Sequence, residues 1–379
     1  MKRTLKTRCL TRGLAAAALM LSPGAALADL YIANSYLPPP YPQPEQGYTQ
    51  MFERIREATN GAFEFETHFG GSLLPGRTTL TGIRFGVAEV GIVYPPYTPA
   101  ELPISDFLGN LSFKSSDSLV AALAYTEINY TSAALREEWH RFNIVFGGAF
   151  ATPAYQFLCN TPVTDLAQAR GKRMRTAGGS FTGLVTSLGG TAVSVPIGDA
   201  YSGMQRGSLE CTIADPTNML TASLRDVVTD VTMVNVGLVP GATWAYSEDF
   251  WTGLTTEQRT LFLDEMALSL IRQQQQFTAS VEETFADAAT RGIEVHEPEP
   301  DLAQHVAEIQ ARYVDTLVAN VNPRLVPDAR GLADEYAALQ EKWTGLLATV
   351  DRKNEAAVLA VVDEHLMSKV DPAVYGVDE

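Results

Sequence analysis

The sequence predicts an α/β protein of two lobes with a cleft between them, braced by one long helix. Three observations carry this. Over the first hundred residues strand-type and helix-type patterns alternate, which in a compact unit means a largely parallel sheet covered by helices. The alternation breaks near residue 150 and starts afresh, so a second such unit follows. A helical pattern then runs over about 255–290, too long and too charged to be the core helix of one small unit. A length of 379 residues leaves room for a separate core in each lobe.

The elements follow in order. "MKRTLKTRCLTRG" carries Lys2, Arg3, Lys6, Arg8 and Arg12 and no acid; "LAAAALML" follows, and Ala26-Leu27-Ala28 offers a small-x-small cleavage site before Asp29. This is the pattern of a secretory signal peptide over 1–28. Its apolar run is far short of the ~20 residues a membrane span needs, and Cys9 precedes that run, away from the cleavage site. "ADLYIANSYL" reads as a strand, and "PPPYPQP" as a rigid loop. Tyr48, Met51, Phe52 and Ile55 keep helical spacing over about 44–59, closed by Asn60-Gly61. "FEFETHF" alternates as a half-buried strand, then come a short helix near 77–85 and the apolar strand "AEVGIVY". A helix over about 116–139 leads to strand "NIVFGGAF".

The second unit runs as a strand at 154–159, a helix at 163–169, strand "KRMRT", a helix near 179–188, strand "AVSVP", a helix near 198–206 and strand "LECTIA". "VTMVNVGLVPGATWAYS" reads as strands returning to the first lobe, and "GIEVHEP" beyond the long helix as a short strand; from Asp301 the pattern is helical. The lobes are therefore expected as 29–150 and 151–228, with 229–379 supplying the return strands, the bracing helix and C-terminal helices.

The chain has 44 acidic against 28 basic residues and a formal charge of −16, and loss of the leader makes it more acidic still. Such a chain repels polyanions, which excludes nucleic acid as a general partner. An anionic ligand needs a local cationic site. Cys159 and Cys211 can pair in an oxidising compartment or stand as buried thiols in separate strands.

Local motifs supply no enzyme or cofactor chemistry. His68, His140, His296, His305 and His365 show no zinc-ligand spacing. "GGSFTG" misses a nucleophile elbow by one residue around Ser180, neither glycine-rich loop ends as a P-loop does, and no G-x-G-x-x-G is present. Glu64 and Glu66 fall on the solvent face of their strand.

"RGKRMRTAGGSFTG", Arg170 to Gly183, is the strongest cationic cluster. If "KRMRT" is a strand, Arg173 and Arg175 share one face and Lys172, Met174 and Thr176 the other. Arg175 lies at the strand's carboxyl end, where ligands bind in open α/β sheets, and its fork suits a carboxylate. The Gly178-Gly179 turn then opens a helix whose N–H groups also favour an anion. Arg170 and Lys172 are expected to meet solvent. Tyr36, Tyr94, Tyr97, Trp244 and Tyr246 gather at predicted strand ends, where they could wall a pocket or simply pack.

These residues resemble a family. "THFGGSLLPGRTTLTGIRFGVAEVGIV", "DLAQARGKRMRTAGGSFTGLVTSLGGTAVSVPIGDAYSGMQRGSLECTI" and Trp251-Thr252-Gly253-Leu254 are similar, in order, to the motifs of substrate-binding proteins of TRAP (tripartite ATP-independent periplasmic) transporters, the dicarboxylate-binding type. The resemblance covers nearly the whole mature chain. It implies a two-lobed periplasmic binding protein fold, a cleft that closes on an organic acid, and Arg175 as the carboxylate's partner. It further implies no cofactor, periplasmic location, and membrane permease subunits as partners, with the membrane reached only through them. Two departures stand out. Where many members carry a second arginine, this chain has Ala154 or Tyr155; near the usual asparagine it has Ala214 or Asp215, with Asn218 as a substitute. The expected ligand set is therefore Arg175, Tyr36, Tyr94, Tyr155, Asp215, Asn218 and Trp244, and the expected ligand a monocarboxylate with an apolar or aromatic remainder. A secreted α/β enzyme using the same cleft, or a periplasmic sensor component, are the alternatives.

Overall fold

In the computed structural model, which describes residues 29–377, the chain builds two sheets, one per lobe. The leader read over 1–28 lies outside the described residues. The first sheet is ordered β2-β1-β3-β10-β4, from β1 (Asp29–Asn34), β2 (Phe63–His68), β3 (Val90–Val93), β4 (Ile144–Phe150) and β10 (Ala242–Ser247). The second is ordered β11-β9-β5-β8-β6-β7, from β5 (Gln156–Cys159), β6 (Arg173–Thr176), β7 (Thr191–Ser194), β8 (Cys211–Ala214), β9 (Asp230–Thr232) and β11 (Glu294–His296).

Each sheet is parallel except for one strand, and the crossings explain both exceptions. β4 ends at the cleft, and the chain passes over 151–155 into the second lobe from its cleft side. β5 must therefore run against its neighbours, and it is antiparallel to β8 and β9. β10 re-enters the first lobe the same way and is antiparallel to β3 and β4. The two crossings pair with each other: Thr152 N–H donates to Val239 O at 3.0 Å and Tyr155 N–H to Gly237 O at 2.7 Å. The return comes later than the sequence suggests, because β9 and β11 both belong to the second sheet.

The bracing helix spans Thr256–Arg291, 36 residues, or about 54 Å at the α-helical rise. Thr255 and Gln258 form a capping box at its start, and Gly292, at φ 71°, closes it. Arg54 reaches Glu265 near one end at 2.5 Å. Arg291 pairs with Asp226, and Arg225 with Asp287, both at 3.3 Å near the other. The helix thus ties both lobes.

Two helices differ from expectation. The pattern over 116–139 forms two helices, Ser118–Thr131 and Ala133–His140, because Ser132 is extended; a Thr-Ser pair favours helix ends over helix interiors. The helix expected over 44–59 starts a little earlier, at Pro42, and carries a π-helical segment, Glu45–Thr49, after its first residues. There the Trp244 indole N–H donates to the Gly47 carbonyl at 3.2 Å, and a Cβ on Gly47 would lie 2.5 Å from the Trp244 ring. A glycine and a diverted carbonyl together account for the local widening.

Cys159 and Cys211 face each other across β5 and β8 and form a disulfide. Of the two states open from the sequence, the structure holds the bridged one.

Candidate ligand-binding site

The carboxyl ends of β1, β3 and β4 face those of β6, β7 and β8, and the segments that follow them enclose a small interlobe cavity of about 30 Å³. The first lobe contributes Tyr36, Leu37, Tyr41, Tyr94, Tyr97, Phe150, Thr152 and Ala242; the second contributes Tyr155, Ala177, Ile197, Asp215 and Asn218, and Val239 comes from a crossing. This is where open α/β sheets bind ligands. A larger groove of about 420 Å³ by the bracing helix is walled by Asp264, Glu265 and Asp363, which disfavour an anion.

Arg175 is fully buried. β6 carries it to the cleft end of the sheet, where it pairs in register with Thr212 and Val193. Its Nε donates to Val195 O at 2.8 Å, Nη1 to Ile213 O at 3.4 Å, and Nη2 to the Tyr97 hydroxyl at 3.1 Å. Tyr155 lies within electrostatic reach of it. Among the described residues no carboxylate pairs with it. Arg173, on the same face but at the outer end, is exposed and paired with Glu210, whose carboxyl that contact holds below its usual range. Arg170 is exposed and Lys172 donates to Thr161 Oγ1 at 2.9 Å. Strand alternation and strand position together therefore single out one cation.

The tyrosines form a cage. Tyr36 meets Tyr97 edge-on at 5.6 Å between ring centroids, Tyr94 meets Tyr97 at 5.0 Å, and Tyr155 stacks on Phe181 at 4.9 Å. Tyr94 donates to Ala177 O across the cleft at 3.4 Å. Burial pushes the hydroxyls of Tyr36, Tyr41, Tyr94 and Tyr155 well above the usual phenol range. All four stay protonated at neutral pH and can donate.

Asp215 follows β8 directly and is fully buried. Thr217 N–H and the Tyr41 hydroxyl reach it at 3.1 and 3.3 Å, Asn218 Nδ2 at 2.6 Å, and the Thr217 hydroxyl more closely still. Burial pushes its carboxyl up to about 6, against these lowering hydrogen bonds.

Two expectations change. Trp244 stands outside the cavity, its ring filling the space over Gly47; β10 runs away from the cleft, so its first residue, Ala242, reaches the cavity and the third does not. The helix Gly179–Ser187 does not offer its start to a ligand. Asn110 of the first lobe accepts from Ser180 N–H at 3.0 Å. At Gly178, with φ +96°, a Cβ would come within 3.0 Å of Pro96. Those glycines admit the opposite lobe. Tyr41 was hidden in the proline-rich loop, and Phe150, Thr152, Ile197 and Val239 carried no local signal.

Among the described residues no helix is long and apolar enough to cross a membrane. The chain is 24% identical, over 68% of its length and 77% of the relative's, to the C4-dicarboxylate-binding periplasmic protein DctP of Rhodobacter capsulatus. Its fold is similar to an extracytoplasmic solute receptor of Bordetella pertussis that binds pyroglutamic acid, with TM-score 0.71, 20% identity, and coverage of 82% of this chain and 99% of that one. It is also similar to a TRAP solute-binding protein of Rhodoferax ferrireducens in complex with benzoate, with TM-score 0.74, 15% identity, and coverage of 84% and 99%. The model of the bacterial extracellular solute-binding proteins, family 7, matches residues 34–320, and with that match over more than half its length the chain belongs to this family, the solute receptors of TRAP transporters.

Proposed function

We propose that the protein is the periplasmic receptor of a TRAP transporter for a monocarboxylate with an apolar or aromatic body. It closes its lobes on the acid, performs no chemistry on it, and delivers it to membrane permease subunits. The observation that carries this is Arg175: a fully buried guanidinium held by carbonyl and hydroxyl oxygens. A buried charge without a counter-charge is costly, and a ligand carboxylate supplies one. The tyrosine cage supports an apolar body, with phenol donors for the carboxylate oxygens. The bound acids named for the Bordetella and Rhodoferax proteins each carry one carboxylate. Membership in a solute-binding family supports a receptor over an enzyme. The positively charged leader over 1–28 supports export, and the disulfide an oxidising compartment.

Titration calorimetry with benzoate, 3-hydroxybenzoate and pyroglutamate tests the reading. One of these or a close analogue is expected to bind tightly, with a 1:1 stoichiometry and no turnover. Arg175→Ala is expected to weaken it about a hundredfold or more, the usual cost of stripping one partner from a buried charge pair, while Arg170→Ala leaves it unchanged. Equal affinity for wild type and Arg175→Ala would remove the carboxylate assignment.

A further inference from the structure

Asp215 is the single carboxylate in the wall of the cavity. It sits two residues beyond the Ile213 carbonyl that accepts from Arg175, and Tyr155 lies within electrostatic reach of both groups. An acid at the centre of an anion site calls for a reason. One possibility is direct contact with a hydrogen-bond donor of the ligand. The geometry argues against it: Thr217 N–H, the Thr217 hydroxyl, the Tyr41 hydroxyl and Asn218 Nδ2 already donate to its two oxygens. Those four donors fill the lone-pair sites of a carboxylate. What remains for the ligand to feel is the charge.

Resting on the receptor reading above, we propose that Asp215 is a specificity-determining residue: its fixed negative charge, in the wall of a cavity that Arg175 backs through the lining Tyr97 hydroxyl, rejects acids with a second carboxylate and admits those whose far end is neutral. The repulsion acts where it is strongest, because Asp215 is fully buried and screening by water is weak there. No cation stands in the walls themselves, which contain neither lysine nor arginine; the Arg175 guanidinium lies behind Tyr97. Tyr41 and Tyr155, the titratable groups facing Asp215 from the other elements, are neutral phenols held above their usual range by burial. The carboxyl itself, pushed up to about 6, is largely ionised above neutral pH. Repulsion of the wrong ligand is a common route to specificity.

The test compares three ligands of one shape, at pH 8, by calorimetry on the mature chain: benzoate, 3-carbamoylbenzoate and benzene-1,3-dicarboxylate. The last two differ only in the charge of the distal group. Wild type is expected to bind the carbamoyl acid at least about tenfold more tightly than the dicarboxylate, and Asp215→Asn to narrow that ratio about tenfold. A role confined to holding Tyr41 and Asn218 in place would weaken both ligands together and leave the ratio unmoved, which overturns the proposal. Equal binding of both by wild type overturns it too. If Asp215→Asn folds poorly, Asp215→Ser removes the same charge and carries the same ratio. Should neither these acids nor the panel above bind wild type at all, the receptor reading itself fails and this inference falls with it; binding of monocarboxylates with no change in ratio sinks the inference alone.

Discussion

Arg175 and Asp215 are buried opposite charges that do not pair with each other, and their consequences differ. Arg175 is held by carbonyl and hydroxyl oxygens. Asp215 is satisfied by hydrogen bonds, yet burial still holds its carboxyl up at about 6, above the ~3.9 of an unfolded chain. A folded-state value above the unfolded one means stability that is full below about pH 4 and lost as pH rises through about 6. For Asp215 that difference is worth about 3 kcal/mol. Relative to Asp215→Asn, wild type is therefore expected to gain stability as pH falls from 7 to 4, measured by urea unfolding at each pH. A difference between the two that stays constant across this range would show that burial does not perturb the group. The comparison with the variant matters because Asp106, also pushed up to about 6 by burial, contributes in the same sense. At this scale the burial of Arg175 at the cleft end of its strand was legible, since strand alternation and strand end are both written in "KRMRT". Tyr41 was not, because a proline-rich loop has no period to reveal which side chain points inward. Trp244 was misplaced for a related reason: a period of two assigns a face, but the direction in which β10 leaves the cleft decides which end of that face is wet.

At the scale of elements, the strand and helix order was legible almost throughout, because hydrophobic period and turn residues are local signals. Partnerships between elements were not. The helix start at Gly179–Ser187 was assigned to a ligand, and the first lobe occupies it through Asn110. The long pattern over 116–139 hid its break, since the break is a single extended residue, Ser132, between two helical stretches. The cysteines were equally mute until β5 and β8 were seen to be neighbours. Their bridge spans a sequence separation of 52. Removing it from the unfolded chain's constraints costs about 4 kcal/mol on the chain-entropy estimate. The double variant Cys159→Ala/Cys211→Ala is expected to unfold at a correspondingly lower urea midpoint. Because β5 follows one crossing and β8 precedes Asp215, weaker ligand binding should accompany it. A midpoint unchanged from wild type would mean that the sheet alone fixes this register.

The two lobes meet through a few contacts that exist only when they are together. Arg77 donates to Ser194 O at 2.9 Å, Tyr41 reaches Asp215, Tyr94 reaches Ala177, and Asn110 holds Ser180 N–H. A cavity of about 30 Å³ has room for about two waters, so a benzoate-sized acid enters only if the lobes part about their two crossings and the bracing helix. Binding and closure are then one equilibrium, and any contact made only in the closed form adds to apparent affinity. Asn110 isolates this effect, because it bridges the lobes without lining the cavity. Asn110→Ala is expected to weaken ligand binding about fivefold, the value of roughly one neutral hydrogen bond, with no change in which acids bind. Small-angle scattering without ligand should show a larger radius of gyration for the variant, and saturating ligand should bring both proteins to the same value. If affinity falls but the radius does not change, Asn110 acts on the helix start alone. If neither changes, the closed form is held by the apolar walls of the cleft, and its polar bridges only set the register of the lobes.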